Sequence, residues 1–343
     1  MRLGALLQAA WWGPRHAWLS ALLAPAAALY GALVALRRLI YAAGLRRSES
    51  LPVPVVVVGN LVVGGAGKTP VVLALVQALR SAGWTPGVIS RGYGGGNRLA
   101  RAVREQDDPA DCGDEPLLIR RRAGAAVWVG ADRVRAGRGL CAAHPEVDVI
   151  VADDGLQHLR LQRAVDVIVV DGRGLGNGRL LPAGPLRAPA PALPPPGAVV
   201  VYNAERPCLA WEGFLMGRRL GPPVPLRAWW QGERAGTSWP RFEGAQPVPA
   251  AAGIAEPERF FRMLEQAGLR IQRLPLPDHW PWRSVPWARG TGPVLVTEKD
   301  AVKLPPEHPD CARIHVVPLD LAFPAPALAR VLAALPARAT RAG

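Results

Sequence analysis

A glycine-rich stretch with one lysine and one threonine is the first place in this sequence where chemistry is expected. Residues 55–75 read VVVVGNLVVGGAGKTPVVLAL, so that glycines separate two apolar runs. A strand ending near Val58 and a helix beginning near Lys68 would direct several backbone N–H groups and a helix N-terminus into one small volume. Such a loop binds phosphate, because the amide dipoles and the helix dipole both favour negative charge.

Lys68 and Thr69 extend this prediction to a nucleotide. In a phosphate-binding loop (P-loop) the lysine reaches the β- and γ-phosphates, which makes Lys68 a candidate catalytic residue, and the hydroxyl ligates Mg²⁺. Val62 stands where the strict pattern G-x-x-x-x-G-K-[ST] has its first glycine, but the denser G-G-x-G-K-T remains. We therefore predict nucleotide binding rather than a glycine turn without a ligand. The expected nucleotide contacts are Gly64, Gly65, Ala66, Gly67, Lys68, Thr69 and Pro70.

Two adjacent acids supply the second half of such a site. The stretch VDVIVADDGLQH (147–158) is an apolar strand that runs into Asp153 and Asp154. Alone, Asp-Asp-Gly is typical of a turn. Beside a P-loop, two carboxylates at a strand tip suit a divalent cation shared with triphosphate oxygens, and we predict a Mg²⁺ site there.

The elements that must position these residues alternate between short apolar strands and helices. This alternation predicts an α/β fold, a P-loop NTPase-like and mostly parallel sheet with helices on both faces. Strands are expected at 53–58, 86–90, 125–130, 147–152, 165–171 and 198–202, and helices at about 68–81, 114–122 and 131–143.

A second, less regular region follows and is expected to form a smaller α/β domain. Its predicted strands lie near 224–229, 248–252, 293–297 and 313–318, and its predicted helices at 256–267 and 324–335. We therefore divide the chain into an N-terminal membrane-associated helix (1–47), a nucleotide-binding core domain (48–204) and a C-terminal domain that completes the cleft (205–343).

The N-terminal segment is long and uncharged. Residues 17–36 carry no charge across 20 positions, the length that a helix needs to cross a bilayer core. More positive charge follows the segment than precedes it, which favours a cytoplasmic location for the remaining chain. Membrane association is the favoured interpretation, either spanning or interfacial. A cleaved signal peptide and a buried helix are the alternatives.

Composition limits the partners. The formal net charge of the 343 residues is +14, which suits nucleic acid, an anionic membrane surface or phosphorylated molecules. No basic run with interleaved aromatic residues resembles a nucleic-acid module, so no nucleic-acid partner is expected. No obligatory protein partner is evident. The four cysteines form no C-x-x-C pair, which favours a reducing cytosol over a disulfide framework.

Several segments together resemble one family, the tetraacyldisaccharide 4′-kinases of lipid A biosynthesis. The matching segments are VGNLVVGGAGKTP (58–70), SRGYGG (90–95), GDEP (113–116), DDGLQHLRL (153–161), GNGRLLPAGPLR (176–187), AEPERFF (255–261), PDHW (277–280) and TEKDAVK (297–303). The resemblance implies an enzyme that phosphorylates the 4′-hydroxyl of a tetraacyl glucosamine disaccharide 1-phosphate with MgATP. It also implies that the enzyme works at the cytoplasmic face of the inner membrane and gives lipid IVA.

The resemblance assigns roles to particular residues. Asp114 matches the family's general base, and His279 matches the histidine that pairs with it. Glu115 is expected beside the metal with Thr69 and the two adjacent acids. From the residues alone, Asp114 is as well explained as a helix N-cap, and His279 as a structural loop residue. The residues assigned to the lipid substrate are Arg91, Tyr93, Arg133, Gln157 and His158.

Two questions stay open at this point. Lys299 and Lys303, which with Lys68 are the only lysines in the chain, suit a structural ion pair as well as a catalytic role. The alternative function is a membrane-associated regulatory or partitioning ATPase on the same loop. Such ATPases usually carry a lysine just before the glycine pair, where this chain has Val63.

Overall fold

A mostly parallel eight-stranded sheet forms the larger unit of the protein. The computed structural model describes residues 3–13, 16–92, 99–233, 239, 247–288, 290 and 292–337. The strands of this sheet are β1 (Val55–Gly59), β2 (Pro86–Ser90), β3 (Arg101–Ala102), β4 (Val127–Val129), β5 (Val149–Asp153), β6 (Val165–Asp171), β7 (Val199–Asn203) and β8 (Phe214–Leu215). Their spatial order is β3-β4-β2-β5-β1-β6-β7-β8, with β3 antiparallel to β4.

Helices cover both faces of this sheet, as the alternating pattern predicts. They are α4 (Lys68–Ser81), α5 (Pro109–Cys112), α6 (Asp114–Ala123) and α7 (Arg133–Ala143). Alternate valines of β1 point to opposite faces. Val56 and Val58 pack in one core with α4 and α6, whereas Val55 and Val57 pack in another with α7. A strand buried on both faces explains the run of four valines.

The second unit contains a five-stranded sheet in the order β10-β14-β13-β11-β12. Its strands are β10 (Val224–Pro225), β11 (Val248–Ala252), β12 (Ile271–Pro275), β13 (Val294–Thr297) and β14 (Ile314–Val317). Its helices are α8 (Leu226–Trp230), α9 (Pro257–Gln266), α10 (Glu298–Ala301) and α11 (Ala325–Ala333). Strands β9 (Gly217–Leu220) and β15 (Leu319–Ala322) form an antiparallel pair. Two elements beyond residue 204 join the larger unit: β8 pairs with β7, and α11 contacts β7 and α4.

One predicted strand is wrong. The stretch 224–229 is a strand only at its first two residues and then becomes α8. Leu226 and Trp229 are both buried, and their spacing of three residues is helical rather than alternating. Pro225 lies at the helix N-cap position, on an edge strand where a missing backbone N–H is tolerated. The strand β12 was not predicted, because its side chains are mostly exposed.

The N-terminal segment differs from the single helix suggested by its uncharged run. Helices α1 (Leu3–Trp12), α2 (Ala17–Leu22) and α3 (Ala24–Ala42) follow one another, and Leu23 separates the last two. Pro25 lies in the first turn of α3, where its missing N–H is tolerated. In the part of the chain that the structure describes, no helix has both the length and the apolarity to cross a bilayer.

Candidate active site

The P-loop joins the carboxyl end of β1 to the first residue of α4. Gly64 and Gly67 have φ angles of 91° and 69°, in the left-handed region that glycine adopts at low cost. Gly67 is also the N-cap residue of α4, so the free N–H groups of the first turn face the loop. The predicted strand, glycine loop and helix are therefore confirmed as local structure, and this backbone can receive a phosphate group.

Side chains and backbone from later segments fix the path of this loop. The Nδ2 atom of Asn203, at the end of β7, donates to the Ala66 carbonyl oxygen at 3.1 Å. The N–H of Val63 donates to Pro185 O at 2.8 Å, and the N–H of Arg187 donates to Leu61 O at 2.8 Å. The loop thus lies against the segment that carries GNGRLLPAGPLR.

Lys68 and the two predicted metal-binding acids lie at one place. Val58 of β1 is the register partner of Asp153 in the neighbouring strand β5, which brings the ends of both strands together. The Nζ atom of Lys68 is buried, 3.1 Å from Asn60 Oδ1 and 3.5 Å from Asp154 Oδ1. One bound nucleotide could contact the lysine and the acids at the same time.

The two acids have different environments. Asp153 is 1% exposed, and its Oδ2 accepts a 3.1 Å hydrogen bond from Ser90. Burial, together with the nearby Glu115 carboxylate, raises the pKa of Asp153 to about 7. Burial also opposes ionisation of Asp154, but Lys68 and Arg187 outweigh it and hold the Asp154 pKa below its ordinary value.

The acids also fit a magnesium ion. Within the described ranges, Asp153 Oδ1 is buried and has no hydrogen-bond partner, as expected of an oxygen that would bind a cation. No group of three or more His, Cys, Asp or Glu side chains among these residues could hold a metal by itself. Mg²⁺ commonly uses one or two carboxylates together with substrate phosphates and water. The two carboxylates would therefore supply part of the Mg²⁺ ligands, and the phosphates of a bound nucleotide would supply others.

Asp114 and His279 form a hydrogen-bonded pair across the two units. His279 Nδ1 lies 3.0 Å from Asp114 Oδ2. This hydrogen bond raises the pKa of His279. Burial of Asp114 would raise its own pKa, but the His279 hydrogen bond and two lysines lower it instead. Gly113, not Asp114, occupies the N-cap position of α6, so the capping explanation does not hold.

The remaining two lysines surround this pair. Lys299 Nζ is 3.0 Å from Glu115 Oε1 and 3.2 Å from Asp278 Oδ1, so it bridges the two units. Burial would lower the pKa of Lys299, but these carboxylates and Asp114 raise it. Lys303 Nζ is 3.7 Å from Asp114 Oδ2. Both lysines therefore contribute positive charge beside the proposed base.

The predicted substrate residues lie on the same edge of the sheet, with one outside the described residues. Arg91 is exposed at the end of β2, and Arg133 Nη2 donates to Asp154 O at 3.4 Å. Gln157 donates to the backbone oxygen of Asn60 at 3.2 Å. Burial and the Arg133 charge lower the pKa of His158 to about 4, which keeps its ring neutral at neutral pH. Tyr93 is the one outside the described residues.

Three further residues at this edge were missed by the sequence analysis. Arg187 Nη1 donates to both carboxylate oxygens of Asp154, at 2.8 and 2.9 Å. Arg173 donates to the P-loop at Gly65 O, at 3.1 Å. Asn203 holds the loop as described above. Arg187 is the last residue of the motif GNGRLLPAGPLR, and Asn203 directly follows the predicted strand 198–202. Both positions could therefore have been recognised from the sequence.

A cleft opens between the P-loop and the second unit. Its charged lining comes from both units, and its apolar lining would suit a flat aromatic group. The charged residues are Lys68, Glu115, Arg218, Glu256, Arg259, Glu298 and Lys299. The large apolar residues are Leu73, Leu118, Leu220, Ile254, Phe260, Met263 and Leu319.

The fold and the site define a class of protein. A parallel sheet with a glycine-rich loop between a central strand and a helix, completed by acids on the neighbouring strand, is a P-loop nucleotide-binding fold. Residues 19–336 match the family described as tetraacyldisaccharide-1-P 4′-kinase. The chain belongs to this family of phosphotransferases that act on a hydroxyl group.

Individual relatives agree with this assignment. The tetraacyldisaccharide 4′-kinase of Leptothrix cholodnii is 52% identical over 343 residues, covering 98% of this chain and 97% of the relative. That of Methylibium petroleiphilum is 52% identical over 314 residues, covering 89% and 86%. Among solved structures, LpxK from Aquifex aeolicus, described as an "apo" form in complex with ATP, has a TM-score of 0.73. At 24% identity over 93% of this chain and 100% of that one, it supports the fold.

Proposed function

We propose that this protein transfers the γ-phosphoryl group of ATP to the 4′-hydroxyl of a tetraacyl glucosamine disaccharide 1-phosphate, giving lipid IVA. The observation that carries the proposal is the family match across residues 19–336. The hydrogen-bonded Asp114 and His279, on the same edge of the sheet as Lys68, support it. The family assignment does not support the alternative of a regulatory or partitioning ATPase.

The triphosphate would bind at the P-loop. Backbone N–H groups of residues 64–69 would surround its phosphates, and the Lys68 ammonium, 3.5 Å from Asp154 Oδ1, would add positive charge beside them. Thr69, Glu115, Asp153 and Asp154 are the residues that would hold Mg²⁺, and Pro70 continues the loop into α4. When bound, Mg²⁺ offsets the negative charge of the β- and γ-phosphate oxygens.

The acceptor hydroxyl is activated by Asp114. The oxygen of the acceptor hydroxyl attacks the γ-phosphorus of ATP, the bond from that phosphorus to the β–γ bridging oxygen breaks, and ADP leaves. Asp114 accepts the hydroxyl proton, since a buried carboxylate within reach of the acceptor can act as a general base. His279 orients Asp114 through their 3.0 Å hydrogen bond. Lys299 and Lys303 add positive charge beside the carboxylate, which keeps Asp114 ionised before the reaction.

The lipid acceptor would bind beside these groups, at the membrane. Arg91 and Arg133 offer cationic groups for its phosphate, and Tyr93, Gln157 and His158 offer contacts to the sugars. The exposed leucines of α3 lie close in sequence to a group of exposed arginines at 37, 38, 46 and 47. Apolar side chains next to cations suit the interface of an anionic bilayer. We place the enzyme at the cytoplasmic face of the inner membrane.

The direct test is an assay for the lipid product. Purified protein is incubated with Mg²⁺, ATP labelled in its γ-phosphate and a tetraacyl disaccharide 1-phosphate in mixed micelles. We expect label in a bisphosphorylated lipid, in a 1:1 ratio to the ADP formed. Lys68→Met provides the inactive control. ATP hydrolysis that is independent of the lipid, with no labelled lipid, would contradict the proposal.

A further inference from the structure

Arg173 contacts four separate parts of the molecule. Its Nη2 donates to the P-loop carbonyl of Gly65 at 3.1 Å and to Asp171 Oδ2, at the end of β6, at 2.5 Å. Its Nε lies 2.9 Å from Glu256 Oε1, just before α9 of the second unit. Its guanidinium carbon lies 4.4 Å from the centre of the Trp12 ring, at the end of α1. The proposed phosphoryl transfer does not itself use these contacts of Arg173.

The Gly65 contact controls the direction of a P-loop amide. In a trans peptide the C=O and N–H groups point in opposite directions. When Arg173 holds Gly65 O, the N–H of Ala66 must point to the other side of the loop. Asn203 acts in the same way on the next peptide by holding Ala66 O, which directs the Gly67 N–H. A P-loop binds phosphate through such aligned N–H groups.

The Trp12 contact connects this amide to the N-terminal helices. Helix α1 is tied to the segment that follows Arg173, because Asn177 N donates to Trp11 O at 2.9 Å and Trp11 Nε1 donates to Pro182 O at 3.0 Å. A Cβ atom at Gly176 would lie only 2.7 Å from Trp11 O, so helix and segment are in close contact. Trp12 thus places its ring over the guanidinium group from a helix that is hydrogen-bonded to the segment following Arg173.

The Glu256 contact connects the same guanidinium to the second unit. The P-loop approaches that unit closely here, since a Cβ atom at Gly65 would lie 2.8 Å from Ala255 Cβ. The carboxylates of Asp171 and Glu256 both lie against the Arg173 guanidinium, and the Arg173 side chain is only 21% exposed. A fixed, planar guanidinium with several donors can hold such contacts together, which a flexible lysine cannot do.

We propose that Arg173 is a positioning residue, which orients the P-loop for ATP through Gly65 O and transmits the placement of α1 to the loop through Trp12. The inference rests on the ATP site of the proposed function and extends it. The placement of the N-terminal helices then affects ATP affinity through Arg173. Trp12 acts only through Arg173, so the two residues must be energetically coupled.

The test measures ATP binding by the full-length protein without lipid. Equilibrium Kd values for MgATP are measured for wild type, Arg173→Ala, Trp12→Ala and the double variant. Loss of the charge-assisted hydrogen bond in Arg173→Ala is expected to weaken ATP binding about tenfold. Trp12→Ala is expected to weaken it about threefold, in line with an exposed cation–π contact. The double variant is expected to bind no more weakly than Arg173→Ala.

Kinetics distinguish positioning from a general loss of structure. With the lipid acceptor, KM for ATP should rise in both single variants while kcat at saturating ATP changes less than twofold. Trp12→Phe keeps a ring over the guanidinium and should retain most of the affinity. Arg138→Ala removes an arginine of similar kind, paired with Glu49 and remote from the P-loop, and should leave Kd unchanged.

Each outcome decides the question. Unchanged Kd in both single variants, or additive effects in the double variant, overturns the inference. If Arg173→Ala does not fold, the comparison of Trp12→Ala with Trp12→Phe decides, and equal Kd values for the two overturn the inference. If the wild type binds no ATP, the proposed function fails instead. If it binds ATP but makes no lipid product, only the acceptor assignment fails.

Discussion

Asp114 and His279 are 165 positions apart in the chain and 3.0 Å apart in space. The environment, and not the residue type, makes them suitable for acid–base chemistry. Asp114 is 6% exposed and remains ionised because His279 and the nearby lysines favour its charged form. A buried carboxylate whose charge is maintained by neighbours is a suitable proton acceptor for a sugar hydroxyl.

Replacing Asp114 tests its role as the base. Asp114→Asn keeps the shape of the side chain and removes its capacity to accept a proton, so we expect kcat to fall about 10²- to 10⁴-fold. KM for ATP should change little, because the carboxylate contributes to the transition state and not to nucleotide binding. Steady-state kinetics with the lipid acceptor provide the measurement.

A helix N-cap serves as the matched control. Asp132 accepts hydrogen bonds from Val134 N and Arg135 N at the start of α7. Asp132→Ala should lower the unfolding free energy by about 1 kcal/mol without a comparable loss of kcat. If Asp114→Asn behaves like this control, Asp114 is structural.

The pH dependence of His279 provides a second test at this scale. The hydrogen bond to Asp114 raises the folded-state pKa of His279, so the pair stabilises the protein fully below pH 6.5, the unfolded value. This contribution is lost as pH rises through the higher folded pKa. As pH falls below about 4, the ordinary value for an aspartate, the contribution is lost again, and the loss is complete only below the lowered folded-state pKa of Asp114.

NMR titration of labelled histidine checks this expectation. The His279 signal should titrate above pH 6.5 in the wild type and move to lower pH in Asp114→Asn. The difference in unfolding temperature between wild type and His279→Gln should be largest between about pH 4 and 6.5. An unchanged His279 titration in Asp114→Asn would show that the pair does not form in solution.

At the scale of elements, the P-loop depends on the segments that pack around it. The β1–loop–α4 unit follows from the local sequence, but its carbonyl groups are held by Asn203, Arg173 and the 185–187 stretch. Glycine is required at position 67 for two reasons. Its φ angle is 69°, and a Cβ atom there would overlap the side-chain amide of Asn203.

Gly67→Ala should therefore disable the loop. Left-handed strain alone costs about 1–2 kcal/mol, and the overlap with Asn203 adds to it. Gly124→Ala is the matched control, because Gly124 also has a positive φ, 57°, but its Cβ would contact nothing within 4 Å. Urea unfolding and ATP binding provide the measurements. We expect Gly67→Ala to lower both the free energy of unfolding and the affinity for ATP, and Gly124→Ala to lower only the free energy of unfolding. Equal effects of the two variants would show that the overlap with the Asn203 side chain is relieved at no cost in free energy.

For the whole molecule, the N-terminal helices carry the surface that faces a bilayer in our proposal. Leu29, Leu33, Leu36 and Leu39 of α3 are all more than half exposed, an arrangement that costs free energy in water. The same surface lies beside exposed arginines, and α1 is joined to the P-loop through Arg173. In this proposal, membrane contact and nucleotide binding therefore involve one continuous part of the structure.

Vesicle binding tests this surface. We expect the wild type to sediment with anionic vesicles, and Leu29→Glu/Leu33→Glu to bind at least about tenfold more weakly, because two leucines no longer enter the interface. Salt should weaken binding as well, since exposed arginines contribute. Leu193→Glu, at a leucine that is 72% exposed outside this surface, is the control. Equal binding of all three proteins would exclude α3 from the interface.

The sequence alone determined those elements and candidate-site residues that follow local rules. Helix 68–81 and strands 86–90, 165–171 and 248–252 have the predicted bounds, because apolar runs there end at polar residues, glycine or proline. The P-loop, and the acids that lie beside it, were predictable for the same reason: a phosphate cradle is a local pattern, and strand tips of a parallel sheet meet at one edge.

Only the tertiary structure decided which distant residues meet these elements. The order of strands places Asn203 on the P-loop, and chain paths that no local pattern specifies bring Arg187 to Asp154 and Arg173 to Gly65. The helical spacing of buried residues likewise became visible only with the core, where residues 226–229 of the predicted strand 224–229 form a helix. The physical reason is that hydrogen bonds and burial between distant segments depend on the whole packing arrangement, whereas turns, caps and apolar periods depend on neighbours in the chain.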